Sequence, residues 1–209
     1  MIDKIMGPGS ATLVRVAEIK RVTAETDIEL KLNLDGKGES VINIKGCGFM
    51  EHMLTLFAHH GRFDLNINAS GDTHVDLHHI TEDLGICLGQ AFNKALGERR
   101  GIVRYGYFIL PMDEALILTA IDFSGRAHLN WDVNLLNAKV GEFDTELAKE
   151  FWLGFVRQAA CALHVKQLAG ENTHHILEGA FKSAARSLRQ AVSIDKDFKD
   201  EIASTKGVI

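Results

Sequence analysis

The sequence predicts an α+β fold, an α/β sandwich of two duplicated halves, each a mostly antiparallel four-stranded sheet with two helices. Three observations predict it. Strand-like runs and helix-like runs alternate in the same order twice within 209 residues. Apolar residues recur with period two in some segments and at helical spacing in others. The pattern His-His-x-x-Glu occurs at His78–Glu82 and again at His174–Glu178, a constant offset of 96 residues. That spacing exceeds a solenoid repeat and fits duplication of a whole half.

The elements follow in order. Residues 12–22 and 26–34 are rich in Val, Ile and Leu with partial alternation, as strands are. Asp35-Gly36-Lys37-Gly38 signals a turn, and Val41 to Ile44 return as a third strand. Phe49 to His60 reads as a helix, and Phe63, Leu65, Ile67 and Ala69 alternate as a fourth strand does. Ile80, Leu84, Cys87, Leu88, Ala91 and Ala95 share one helix face, with Gly97 as the stop. The second half offers strands at about 102–110, 115–123 and 127–133, a helix capped by Asp144 and running to about Ala160, a strand at 163–168, and a turn at Gly170. A last helix, about 172–192, aligns Leu177, Phe181, Ala184, Leu188 and Val192. The halves span about 12–97 and 101–193 of a single domain over 1–209. The polar residues from Asp195 to 209 read as a mobile tail.

Composition narrows the function. Hydrophobic residues make up 46% and charged residues 24%, the profile of a globular protein, and the length suffices for a substantial core. A net charge of -5 argues against nucleic acid as a partner. No apolar run approaches the roughly 18 residues of a membrane span. Gly7-Pro8-Gly9-Ser10 reads as a flexible lead-in, and Met1 to Ser10 lacks the pattern of a signal peptide. Cys47, Cys87 and Cys161 are odd in number and widely spaced, which suits a reducing cytoplasm rather than a disulfide framework.

The histidines carry the chemistry. On a helix, residues i and i+4 share a face, so His78 with Glu82, and His174 with Glu178, can grip one ion. His79 and His175 sit about 100° around the helix and point elsewhere. Two such helices supply four imidazoles and two carboxylates, mixed ligation that suits Mn, Fe or Zn. Split rings fit two ions bridging two helices better than one crowded ion. Either copy alone would read as a polar helix start, and it is the pair that points to metal. His52 and Glu150 occupy matching places, 26 and 24 residues before the two motifs, and by symmetry each could complete a site. His164 competes from a strand but lacks a first-half counterpart, so a core or outer-shell role is expected. Asp83 reads as a helix-dipole carboxylate.

Longer stretches carry a resemblance. They are RVAEIKRVTAETD from Arg15, LDGKG from Leu34, FMEHML from Phe49, HGRFDL from His60 and GDTHVDLHHITEDLG from Gly71. LGERRGIVRYG from Leu96, PMDEAL from Pro111, DFSGR from Asp122 and FDTEL from Phe143 continue it. It ends with LHVKQLAGENTHHILEGAFKSAARSLRQAV from Leu163 and STKGV from Ser204. In these stretches the chain resembles the imidazoleglycerol-phosphate dehydratase family, from about 13 to 208, with no phosphatase half attached.

The resemblance implies a ribosomal protein S5 domain 2-like fold and a hydro-lyase of histidine biosynthesis in the cytoplasm. It implies two Mn2+ per active site, held by His52, His78, His79, Glu82, Glu150, His174, His175 and Glu178. It further implies a homo-oligomer of 24 subunits with sites at their interfaces. Arg104, Arg126, Lys182, Ser204 and Lys206 are implied to bind the phosphate of a small-molecule substrate, and Glu25 to act as acid and base. A phosphomonoester carries nearly two charges, and the Arg fork matches its oxygens. Lys182 falls one turn after Glu178, and Gly207 would let the tail fold down over substrate. In the implied chemistry the imidazolate form of the substrate ring expels hydroxide from the carbon beside it. The resulting diazafulvene is an electron sink that acidifies the neighbouring C–H, whose proton is then lost to give an enol and, from it, the ketone. Two departures stand out. Many relatives have His where Glu150 stands, and Thr55-Leu56 replaces the family's Asp-Gln.

Two other functions share some of these features. A dinuclear metallohydrolase of phosphate esters would also pair carboxylates with His, but would release phosphate. A metal-binding or RNA-binding module would survive chelation and bind RNA in moderate salt, against the acidic net charge.

Overall fold

The computed structural model describes residues 15–209. The lead-in at Gly7–Ser10 and the strand expected over 12–14 lie outside them. The first half runs β1 (Val16–Val22), β2 (Thr26–Asn33), β3 (Ser40–Ile44), α1 (Gly48–Gly61), β4 (Asp64–Gly71) and α2 (His78–Leu96). The second runs β5 (Tyr105–Met112), β6 (Ala115–Asp122), β7 (His128–Asp132), the short β8 (Lys139–Val140) and β9 (Phe143–Asp144), α3 (Leu147–Ala159), β10 (Ala162–Ala169) and α4 (Thr173–Val192).

Each half builds one four-stranded sheet. The first has the order β1-β2-β4-β3 and the second β5-β6-β10-β7. Neighbours are antiparallel except β3 with β4 and β7 with β10. β2 buries alternate residues, including Ile28, Leu30 and Leu32, as a strand with one face on a core must. The same alternation in β6 buries Ala115, Ile117, Thr119 and Ile121.

The helices fill the space between the sheets and pair across the halves: α2 lies on α3, and α1 on α4. Small residues make the first crossing possible. A Cβ at Gly85 or Gly89 would collide with the backbone carbonyls of Phe151 and Phe155, and one at Gly154 would come within 2.9 Å of Glu82 O. These glycines serve backbone approach, which outweighs their cost within a helix. Around the crossing, Phe57, Phe92, Phe151, Trp152, Phe155 and Phe181 are buried together in tilted and edge-to-face contacts. No helix among the described residues is long and apolar enough to cross a membrane.

Four expectations need correction. Asp144 does not cap α3: it lies in β9, 3.4 Å from Lys139 Nζ, and Glu146 holds the cap position without a side-chain hydrogen bond. Asp83 is not a helix-end carboxylate. It lies in the second turn of α2, buried, where Thr26 Oγ1 donates to it at 2.6 Å and Arg21 Nε lies 2.9 Å away, so it pins the helix to the sheet. His164 is not a core residue, because the neighbouring Leu163 and Val165 take the inward face and turn it to solvent, beside His128. The polar tail is paired to the chain: Asp195 N donates to Gly101 O, Ile202 bridges to Arg100, and Gly101 N donates to Glu201 O. Backbone pairing needs no apolar side chains, so polarity alone misjudged the segment.

Candidate functional site

The two His-His-x-x-Glu patterns open α2 and α4. Each start is held by a short side chain whose oxygen accepts backbone N–H groups. Asp76 accepts from His78 N, and Asn172 accepts from both His174 N and His175 N. The histidines are thereby fixed at the first turn, where no earlier turn crowds their rings.

One tight cluster forms across the halves. His52 on α1 and His174 and Glu178 on α4 bring their donor atoms within 4.8 Å of one another. Glu178 Oε2 lies 3.3 Å from His52 Nε2 and 3.1 Å from His174 Nε2, and its other oxygen accepts from Lys182 Nζ. Burial of Glu178 pushes its carboxyl up, but the hydrogen bond and charge of Lys182 and the bonds from His174 and His52 outweigh it. The group is held below the ordinary carboxylate range and is ionised at neutral pH. Two imidazoles and a carboxylate at this spacing offer mixed nitrogen and oxygen ligation that suits a first-row divalent ion such as Mn or Zn. Among the described residues no other group of three such donors is gathered as closely.

The remaining predicted ligands lie in smaller sets. His78 Nε2 is 3.7 Å from Glu82 Oε2, the i, i+4 pairing expected. His79 points away from that pair, with Nε2 3.8 Å from Glu25 Oε1 and Nδ1 3.0 Å from Asp72 Oδ2. His175 repeats the arrangement, with Nε2 3.8 Å from Asp113 Oδ2 and Nδ1 2.8 Å from Glu114 Oε2. The Asp72 bond raises the His79 pKa, and the Glu114 bond raises that of His175. The Glu114 carboxyl is pulled down to about 2 by His175 and by the backbone N–H of Asn172. Glu150 is half-buried in the first turn of α3. It lies one turn before Gly154, which abuts Glu82 O, so it runs beside the start of α2; it makes no hydrogen bond or ion pair with His78 or Glu82.

A second region collects the predicted phosphate residues. Arg104, Arg126, Ser204 and Lys206 line one cavity of about 390 Å3 with Tyr105 and Ser124. Arg104 is braced from three sides. Its Nε and Nη2 donate to Asp122 at 2.7 and 3.2 Å, Nη1 donates to Ala203 O at 2.7 Å, and its guanidinium lies 4.7 Å from the centre of the Tyr105 ring. The docked tail thus supplies Ser204 and Lys206 to the cavity wall. Lys182 is not there. Its Nζ lies beside Glu178 and 3.9 Å from Met112 Sδ. Arg104 immediately precedes β5 and Met112 ends it, so eight extended residues, about 26 Å, separate them. Lys182 and Arg104 therefore sit toward opposite ends of β5.

Asp72, Asp113 and Glu114 were missed from the sequence. Asp113 and Glu114 sit at the β5–β6 turn as Glu25 sits at the β1–β2 turn, and comparing the two hairpins against the two motifs would have raised them.

The sequence profile described as imidazoleglycerol-phosphate dehydratase matches residues 45–188. The imidazoleglycerol-phosphate dehydratase of Desulforamulus reducens is 54% identical over 94% of this chain and 100% of its own length. That of Synechococcus sp. is 49% identical over 94% of this chain and 97% of its own. Among solved structures, the Staphylococcus aureus dehydratase aligns with a TM-score of 0.78 at 38% identity, covering 86% of this chain and 99% of that one. The Pyrococcus furiosus dehydratase, solved in complex with (S)-C348, aligns with a TM-score of 0.79 at 39% identity, covering 91% and 100%.

Proposed function

This chain belongs to the imidazoleglycerol-phosphate dehydratase family, and from that premise we propose how its residues divide the work. The activity is that of a hydro-lyase, removing water from imidazoleglycerol phosphate to give imidazole acetol phosphate in histidine biosynthesis. The family depends on a metal, and the observation that carries our reading is the convergence of His52, His174 and Glu178 within 4.8 Å. We take the metal to be Mn2+, two per active site. His52, His174 and Glu178 hold one share of the ligands, and His78, His79, Glu82, Glu150 and His175 complete the set. When bound, the ions supply positive charge that makes the substrate's ring N–H more acidic.

The remaining steps fall to the chain's own groups. Arg104, Arg126, Ser204 and Lys206 hold the phosphate, with Arg104 kept in place by Asp122. Glu25 moves the proton at carbon, from a turn that sets its carboxylate 3.8 Å from a ring nitrogen of His79. Lys182 joins the phosphate from a second copy of the chain. The length of β5, which separates Arg104 from the Met112 end where Lys182 lies, supports that assignment, and with it a homo-oligomer, of 24 subunits by the resemblance, whose sites lie between subunits. The chain acts as one dehydratase domain of two halves, about 12–97 and 101–193, with the tail 195–209 completing a neighbour's site. We place it in the cytoplasm.

Metal analysis coupled to turnover of imidazoleglycerol phosphate tests the reading. Manganese in the purified protein, loss of turnover on chelation, and a ketone product without free phosphate are expected. Release of phosphate would instead indicate the hydrolase.

A further inference from the structure

Each second histidine of the duplicated pattern is gripped from behind by an acid outside the pattern. Asp72 Oδ2 lies 3.0 Å from His79 Nδ1, and Glu114 Oε2 lies 2.8 Å from His175 Nδ1. A neutral imidazole carries one proton on its two nitrogens. A carboxylate at Nδ1 keeps the proton there, so the lone pair is left on Nε2. In both rings Nε2 is the atom that faces away from the gripping acid.

The two acids are not copies of one another. The 96-residue offset that superposes the histidines places Leu168 opposite Asp72. Asp72 comes from the segment between β4 and α2, whereas Glu114 comes from the β5–β6 turn. The two halves thus share the imidazoles and the hairpin turns that set Glu25 and Asp113 3.8 Å from Nε2, but not the acids at Nδ1, where two non-equivalent positions converge on the same ring atom. Such convergence is what a shared requirement for ring orientation leaves behind.

Both acids are themselves anchored. Glu114 Oε1 accepts the backbone N–H of Asn172 at 2.8 Å and of Glu171 at 3.3 Å, so one carboxylate ties the β5–β6 turn to the start of α4. Asp72 N donates to Glu25 O at 3.0 Å, which ties Asp72 to the turn that carries Glu25.

We propose that Asp72 and Glu114 are positioning residues that fix the tautomer and the aim of His79 and His175, so that each ring presents Nε2 to a divalent ion. The inference rests on the reading above that these two rings ligate metal. Carboxylates behind ligating histidines typically contribute 10–100-fold to metal affinity.

The test compares Mn2+ affinity, by electron paramagnetic resonance titration, in wild type, Asp72→Ala, Glu114→Ala, His79→Ala and His175→Ala. The tautomers are read from nitrogen-15 shifts of histidine-labelled, metal-free wild type and acid variants. The expected result is a loss of about 10–100-fold in affinity for each acid variant, together with a shift of the affected ring away from the Nδ1–H form. Asp72→Asn and Glu114→Gln, which preserve volume, guard against misfolding and should show the same shift in part. Affinity at the wild-type level in both acid variants, while the His variants lose metal, overturns the proposal and leaves the ligand reading intact. Weaker binding with the Nδ1–H form retained would make the effect merely structural and also overturns it. Wild-type affinity in His79→Ala and His175→Ala would remove the ligand reading itself, and the proposal with it.

Discussion

Glu178→Gln tests the metal cluster through two separable effects on stability. The substitution keeps the shape of the side chain and removes its charge. In the metal-free protein, Lys182 then loses the anion it donates to. Removing one partner of a fully buried pair costs about 3–5 kcal/mol. Lys182 retains 17% exposure and the amide oxygen still accepts, so about 1–2 kcal/mol is expected here. In a chain of this size that lowers the melting temperature by roughly 2–8 °C. Metal adds the second effect. An ion at 100 times its dissociation constant stabilises wild type by about 2.7 kcal/mol, roughly 5–11 °C. Loss of a carboxylate from among the ligands should weaken binding by at least about 100-fold, the upper end of what outer-shell losses cost. At the same metal concentration the stabilisation then falls to about 0.4 kcal/mol, a rise of about 1–2 °C. Calorimetry of both proteins, chelator-treated and then at one fixed Mn2+ concentration, measures both terms. A variant that gains as many degrees from metal as wild type would refute the reasoning, because Glu178 would then not be a ligand.

Other outcomes follow from the same geometry. Glu25→Gln should lower turnover by about 10² to 10⁴-fold with little change in substrate binding, and normal turnover would remove Glu25 from the acid–base role. Arg126→Ala should raise KM for the phosphorylated substrate while leaving Mn2+ binding unchanged, as kinetics and metal titration on the same sample would show. If sites join residues of two copies, refolding a mixture of Arg126→Ala and Glu178→Gln proteins should give, at low substrate concentration, more activity than either variant alone. Asp64 Oδ1 accepts three backbone N–H groups, from Lys37, Gly38 and Glu39. Burial raises its carboxyl pKa, but these bonds outweigh burial and depress it. Its stabilisation is therefore full above about pH 4, the unfolded value, and is lost as pH falls through the lower folded value. Asp64→Ala should cost about 2 kcal/mol at neutral pH and flatten the acid limb of the stability curve.

Local patterns were legible in the sequence wherever one helix turn or one strand period decided the outcome. His78 with Glu82, and His174 with Glu178, needed only i, i+4 spacing on a helix. The order of strands and helices in each half followed from apolar periodicity, because each sheet buries one face. His164 was legible in principle: flanking Leu163 and Val165 on one strand must turn it outward, and alternation should have prevailed over chemical suggestiveness. What spacing could not show is which helices cross. The duplicated pattern left open whether His52 serves its own half, and the structure sets it against His174 and Glu178 of the other. That choice is made by Gly85, Gly89 and Gly154, whose missing side chains let α2 lie on α3 and leave α1 to pair with α4. Glycine within a helix looks like a weakness in the sequence and becomes a contact only when the partner is known. The acids behind the rings were hidden for a related reason. Asp72 precedes its histidine by one short loop, but Glu114 is 61 residues from His175 and meets it only because β5 and β6 turn beside the start of α4. A repeat in sequence therefore locates the paired imidazoles, while the acids hydrogen-bonded behind them are set by packing, which the two halves achieved separately.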